Sequence, residues 1–245
     1  MKITILTLFP DMVRPFFESS IMKRAVEKGI VSYEIIDFRD FSEGNYNRVD
    51  DIPYGGGAGM VIQPGPLGRA LESIGASSKR VVFATPSGEL LTQKKAYELS
   101  RESELVFICG HYEGLDQRII DLYVDDEISI GDYVLTSGET SSQVIIDAVF
   151  RLIDGVITSE SLEEESFSSS LLEYPQYTRP AGYCSLCVPS VLLSGHHNHI
   201  SEWRDGMRLE KTMLVRPDLL TSASLSSGMR KKMIKIIDDK TDKDL

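Results

Sequence analysis

Five short apolar runs rich in β-branched and aromatic residues recur at 3–8, 31–38, 81–84, 105–109 and around 128–135, with helix-like stretches between several of them. Apolar residues fall at helical spacing over 12–28, 92–101 and 142–153, and the last of these opens after a Ser/Thr-rich turn able to cap it. Strands alternating with helices restrict the chain to an α/β architecture, a mostly parallel sheet covered by helices. No internal repeat is present.

The chain has 245 residues, 42% of them hydrophobic and 26% charged, enough to bury a proper core in one large domain or a medium domain with a smaller companion. Its first ten residues are too short an apolar run for a signal peptide, and no stretch is long enough to span a bilayer. Three cysteines cannot make a disulfide scaffold, so reduced thiols in a cytoplasmic protein without membrane association are expected. The net charge of -11 taken alone argues against a nucleic-acid partner. That charge is segregated, however. Residues 1–170 carry 15 basic against 28 acidic side chains, a net -13, whereas 171–235 carry 9 against 5, a net +4. An acidic body with a basic C-terminal segment is one pattern of a polyanion-binding face.

Between these parts, residues 158–170 (TSESLEEESFSSS) combine a glutamate cluster with four following serines and almost no apolar content, the composition of a linker. The sequence therefore reads as a first domain at 1–157, a flexible interdomain linker at 158–170 and a small helical C-terminal domain at 171–245, ending in a polar Asp/Lys tail.

Three of the expected strands run into glycine-containing loops: Thr85-Pro86-Ser87-Gly88, Gly110-His111-Tyr112-Glu113-Gly114, and Gly131-Asp132-Tyr133 with Thr136-Ser137-Gly138-Glu139. Each alone reads as a tight turn. Together, at the carboxyl ends of strands in an open sheet, they point to a ligand site built largely from backbone. Neither G-x-G-x-x-G opening a helix nor G-x-x-x-x-G-K-[ST] occurs, which removes support for Rossmann dinucleotide and P-loop chemistry. A fourth loop places Gly55, Gly56, Gly57 and Gly59 within five positions, directly after Asp50-Asp51-Ile52-Pro53-Tyr54. It is either a flexible loop or a backbone nest able to pack on a flat or phosphate-bearing partner.

Cys184-x-x-Cys187 followed by His196-His197-x-His199 has the ligand types of a zinc site. The gap from Cys187 to His196 is short, and residues 188–193 between them read as a buried extended segment, so the expectation is reduced core thiols beside a polar loop and no metal centre. Arg151 in an apolar helix reads on its own as a snorkelling side chain, and Glu163-Glu164-Glu165 as a solvated charge run.

Taken together, PYGGGAGM (53–60), CGHYEGLDQR (109–118), SIGDYVL (129–135), ESFSSSLLEYPQYTRP (165–180) and VLLSGHHNHISEWR (191–204) resemble the bacterial tRNA (guanine-N1)-methyltransferases, the TrmD family of the SPOUT superfamily. The resemblance runs in matching order from the N-terminal ITILTLFPDM to RPDLL near Leu220. It implies an S-adenosyl-L-methionine-dependent enzyme that methylates N1 of the guanosine immediately 3′ of the anticodon, position 37 of tRNA. It also implies a deep trefoil knot in the sheet domain and a homodimer with active sites between subunits. The family's cofactor loops match Thr85, Pro86, Ser87 and Gly88; Gly110, Tyr112, Glu113 and Gly114; and Ile130, Gly131, Asp132, Tyr133, Val134 and Leu135 with Gly138. Its general base matches Glu165, a position usually held by Asp, and its catalytic arginine matches Arg151. Guanine N1 must lose a proton before it attacks a methyl group, and a guanidinium can stabilise the charge that then develops on O6, so the two default readings of these residues give way. The anticodon stem-loop is expected at Asp50, Gly55, Gly56, Gly57, Gly59, Ser194 and Arg204.

The chain departs from the family where Gly-Gly-Glu-Leu-Pro-Ala is usual and it has Ser137-Gly138-Glu139-Thr140-Ser141-Ser142, which alters the wall expected around the cofactor's adenine. Asp154, Ser170 and Val215 also replace the usual Pro, Gly and Arg. Two rival readings remain at this level: a related knotted enzyme methylating a ribose 2′-hydroxyl, and a non-catalytic RNA-binding protein on the same scaffold.

Overall fold

The computed structural model describes the chain except for residues 44–46, 159–164, 168–169, 222, 224 and 242–245, and describes residues 238–241 by their backbone alone. The chain divides into two compact units, Met1–Thr158 and Ser159–Leu245.

The first unit is built on a five-stranded sheet. Its strands are β1 (Lys2–Thr7), β2 (Ser32–Asp37), β5 (Arg80–Leu90), β6 (Glu104–Ile108) and β7 (Asp126–Ser129), in the order β2-β1-β6-β5-β7, every pair parallel. The two-residue strands β3 (Asp50–Asp51) and β4 (Val61–Ile62) form a separate antiparallel ladder. Alternation along the strands sorts side chains into two cores, one per face. Ile3, Ile5, Val82, Leu105 and Phe107 pack with Val13, Phe17, Met22, Leu99, Ile146 and Phe150. These come from α1 (Pro10–Phe17), α2 (Ser20–Glu27), α4 (Gln93–Leu99) and α6 (Gly138–Phe150). Leu6, Val81, Phe83, Val106 and Ile108 pack on the other face with Leu67 and Leu71 of α3 (Pro64–Ser73) and Ile119 of α5 (Gln117–Tyr123). Each such side chain removed from water contributes about 1.5–3 kcal/mol, which is what holds helices on both faces of a sheet with few polar side chains inside.

Three departures from the expected elements have local causes. The stretch 12–28 is two helices, because Ser19 adopts an extended backbone and its hydroxyl bonds the Pro15 carbonyl at 2.7 Å, an alternative to continuing the helix. β5 runs on beyond 84: residues 85–88 leave the ladder, and Glu89 and Leu90 pair with β7 again at Ile128 and Ser129. Gly88 lies against β7 so closely that a Cβ there would stand 2.4 Å from the Glu127 carbonyl carbon, which explains the glycine. The helix expected over 142–153 begins at Gly138 and has no side-chain cap. Its first N–H is satisfied instead by the Gly110 carbonyl at 2.8 Å, a tertiary partner in place of a cap.

The second unit is mainly helical. It contains α7 (Ser190–Leu193), α8 (His197–Val215) and α9 (Ser227–Thr241), together with a two-residue antiparallel ladder, β8 (Gly182–Tyr183) on β9 (Leu186–Cys187). Leu171, Tyr174, Leu209 and Thr212 are buried. The Leu172 N–H donates to Thr212 Oγ1 at 3.0 Å, and that hydroxyl donates to the Arg208 carbonyl at 2.7 Å. The buried extended segment expected at 188–193 is not found: from Ser190 it is a helical turn, with Leu193 63% exposed. Pro189 precedes that turn at its N-cap, and Val188, Val191 and Leu192 are only partly buried. Likewise Cys184 and Cys187 are exposed rather than core thiols, Cys184 lying at the tight turn between β8 and β9. Among the described residues no helix is long and apolar enough to cross a membrane.

Candidate active site

The carboxyl ends of β6 and β7, with the stretch of β5 between them that leaves the ladder after Ala84, open into a cavity of about 260 Å3. Its wall is the three glycine loops: Thr85 and Pro86 after Ala84; Gly110, Tyr112, Glu113 and Gly114; and Ile130, Gly131, Tyr133, Val134 and Leu135 with Gly138. Of the residues expected at a cofactor, Ser87, Gly88 and Asp132 stand outside the lining. Gly88 is spent on the close approach to β7, and the Ser87 hydroxyl bonds Thr85 Oγ1 at 3.0 Å. His111, Thr136, Ser137 and Ser141, which the sequence places in or beside these loops but which the family resemblance does not assign to the cofactor, line the cavity as well.

Gly138 joins two of the loops. A Cβ on it would stand 2.4 Å from the Gly110 nitrogen, so any larger residue must push the loops apart. Tyr112 sits at φ +58°, a left-handed backbone that a non-glycine residue holds at a cost, and such strain concentrates at ligand sites. Partial burial, with the Asp50 carboxylate facing its hydroxyl, pushes the Tyr112 phenol up from its ordinary pKa.

The loop of residues 53–60 stands beside this cavity. Its base is the β3–β4 ladder, braced by Arg48, which bonds the Asp50 carbonyl at 2.9 Å and Asp51 Oδ1 at 3.0 Å. The Ile52 N–H and Arg48 hold the Asp51 carboxyl below its usual range. The Glu113 N–H donates to the Met60 carbonyl at 3.0 Å, and the Ile62 N–H to the Gly114 carbonyl at 3.0 Å. Gly55, Gly56 and Gly57 all take positive φ and have open space around them, so it is their backbone conformation that excludes other residues. Tyr54 is fully exposed at the tip.

Beneath the cavity lies a polar group to which the sequence assigns no role of its own. Glu139, in the first turn of α6, is 0% exposed; its Oε1 accepts from Thr7 Oγ1 and its Oε2 lies 2.6 Å from His111 Nε2. An acidic residue in the first turn of a helix whose later turns are mostly apolar was the available signal. Burial, then the neighbouring Glu139 charge, pushes the Cys109 thiol far up, so it is an unreactive core thiol.

Of the expected catalytic pair, Arg151 is half-buried at the C-terminal end of α6 in the first unit, its N–H bonding the Asp147 carbonyl at 3.2 Å. Glu165 is half-buried in the second unit. There Ser166 and Glu173 bond each other reciprocally, backbone N–H to side chain, at 3.1 and 3.0 Å. Glu163 and Glu164 lie outside the described residues. Ser194 ends α7, its hydroxyl donating to the Val191 carbonyl at 2.7 Å. Arg204 in α8 lies over the Tyr174 ring at 4.6 Å. Among the described residues no group of three or more His, Cys, Asp or Glu is placed to hold a metal ion.

A backbone-lined cavity at the carboxyl ends of parallel strands defines an α/β protein with a small-molecule site at its sheet edge. Residues 1–222 match the family described as tRNA (Guanine-1)-methyltransferase TrmD. Similar proteins named tRNA (guanine-N(1)-)-methyltransferase occur in Treponema denticola (57% identical, 97% of this chain and 98% of the relative) and Borrelia hermsii (61%, 89% and 92%). Another with that name occurs in Treponema pallidum (56%, 93% and 91%). The chain belongs to the TrmD family of tRNA (guanine-1)-methyltransferases.

Proposed function

We propose that the chain methylates N1 of the guanosine at position 37 of tRNA, with S-adenosyl-L-methionine as methyl donor, as a cytoplasmic homodimer whose sheet domain is knotted as in other SPOUT enzymes. Family membership carries the guanine-N1 activity. The character of the cavity carries the donor: among the described residues lining it there is no Lys or Arg, and Glu113 is a carboxylate. Phosphate-bearing cofactors are usually neutralised by Lys or Arg, whereas a nucleoside with a positively charged sulfonium suits backbone carbonyls and a carboxylate. Ile130, Tyr133 and Leu135 offer the apolar surface an adenine ring needs.

S-Adenosylmethionine supplies an electrophilic methyl group that needs only in-line placement. The chain's own residues do the rest. Glu165 accepts the N1 proton of guanine, and Arg151 stabilises the charge that moves to O6. The glycine loop with Asp50, together with Ser194, Arg204 and the basic 171–235 segment, grips the anticodon stem-loop, and Gly55–Gly57 give that grip a backbone surface with no side chains in the way.

The test is primer extension on tRNA treated with protein and methyl donor, which should stop at the modified guanosine. Replacing that guanosine by adenosine should abolish transfer; persistence of methylation would favour the ribose-methylating reading. Glu165→Gln should lower kcat by about 10²–10⁴ while calorimetry shows unchanged cofactor binding. A near-normal kcat would remove Glu165 from the base role.

A further inference from the structure

We propose that Glu139 is a positioning residue: its buried carboxylate holds His111, and through His111 the 110–114 loop, in the arrangement that receives the methyl donor. The proposal rests on reading the cavity as the S-adenosylmethionine site.

A carboxylate removed from water is costly unless its oxygens are bonded, and both oxygens of Glu139 are engaged. Its place in the first turn of α6 favours negative charge as well. With a carboxylate as acceptor, Nε2 of His111 is the donor, which fixes the tautomer and the ring. That ring is 13% exposed, lines the cavity, and lies against the Phe9 ring at 4.7 Å between centroids. The Phe9 N–H in turn donates to Thr7 Oγ1 at 2.9 Å, so one carboxylate ties the end of β1 to the loop that follows β6. The next residue, Tyr112, is in the left-handed conformation. A single non-glycine residue held there persists only when its surroundings over-determine it. His111, pinned from beneath, fixes one end of the loop, and the Glu113 N–H bond to the Met60 carbonyl at 3.0 Å fixes the other, so Tyr112 is held between them.

The test is calorimetric titration of S-adenosylmethionine into the full-length wild-type protein, Glu139→Met, His111→Ala, His111→Gln and the Glu139→Met/His111→Ala double variant, with thermal denaturation alongside. Each disrupting single change should raise Kd about tenfold, and the double should bind no worse than the weaker single, because both remove one shared interaction. His111→Gln, whose amide can donate from nearly the same point, should recover most of the affinity.

Multiplicative effects in the double variant would overturn the proposal, as would unchanged Kd with only a lowered Tm, or unchanged Kd with a fallen kcat. A wild-type protein that takes up no S-adenosylmethionine would overturn the reading of the cavity itself, an outcome distinct from wild-type binding with indifferent variants. If Glu139→Met does not fold, the His111→Ala and His111→Gln pair decides the matter, with equal affinities counting against it.

Discussion

β5 and β7 each begin in a cluster of charges and end in a loop nearly free of them. At their amino ends Arg80 bonds Asp126 at 2.7 Å and reaches Glu98 and Glu102, while Lys95 lies 3.2 Å from Asp126. At their carboxyl ends the cavity is walled by backbone, one strained tyrosine and a carboxylate. The first end uses charge to neutralise charge. The second leaves N–H and C=O groups facing a space, and that is what a binding site requires. Perturbed groups at the two ends therefore mean different things: ion pairing at one, ligand geometry at the other.

The largest effect is expected from breaking the carboxyl end. Gly138→Ala puts a Cβ where the Gly110 backbone already stands, so the two loops must separate by more than a side chain can absorb. Donor affinity should fall by about a hundredfold, the scale on which a displacement of roughly 1 Å is felt in a pre-organised site. Calorimetry measures this directly, and an alanine variant with wild-type affinity would mean that the loops are not held in register by this contact.

Breaking the amino end should do the reverse. Asp126→Asn removes the charge that Arg80 and Lys95 share and should cost about 2 kcal/mol in denaturant unfolding, with donor affinity unchanged. The same network fixes the acid response. Burial opposes ionisation of Asp126, but Arg80 and Lys95 outweigh it and hold its carboxyl below the usual range; Arg80 does the same for Glu98. Carboxyls depressed in the folded state stabilise it above their unfolded pKa and lose that contribution as pH falls through their folded values. Stability should thus be level from neutral pH to about pH 5 and decline below it, and the decline should be shallower in Asp126→Asn. An unchanged acid limb would detach Asp126 from the network.

This contrast also marks what a reader of the sequence can and cannot see. Short apolar runs such as 3–8 and 105–109 announce a sheet buried on both faces, and the loops that end its strands announce themselves by glycine. Those are local signals. The return of Glu89 and Leu90 to β7, the start of α6 at Gly138 and the pairing of Glu139 with His111 depend on partners 28 or more residues away, and no local pattern encodes them. His111 is legible as part of a glycine loop, but its own role is not, because the carboxylate that pins it is 28 residues further along the chain. The separate ends of α1 and α2 were missed for a different reason: the apolar spacing continues through Ser19, and only the backbone turns aside.

The smallest effect separates two threonines of one strand. Thr4 and Thr7 of β1 are both fully buried. The Thr7 hydroxyl bonds Glu139 and accepts from the Phe9 N–H, so it belongs to the functional end. Thr4 lies mid-strand, in register with Glu34 and Val106, and its Oγ1 has no hydrogen-bond partner among the described residues. A buried hydroxyl without a partner carries its desolvation cost uncompensated, so Thr4→Val, which keeps the β-branched shape, should raise stability by about 0.5–1 kcal/mol, roughly 2–4 °C in Tm. Thr7→Val should lower stability and weaken donor binding, because it strips one oxygen of a buried carboxylate of its donor. Equal losses from the two substitutions would show that the strand answers only to the hydroxyl itself, and the distinction between a structural centre and a functional end would fail at β1.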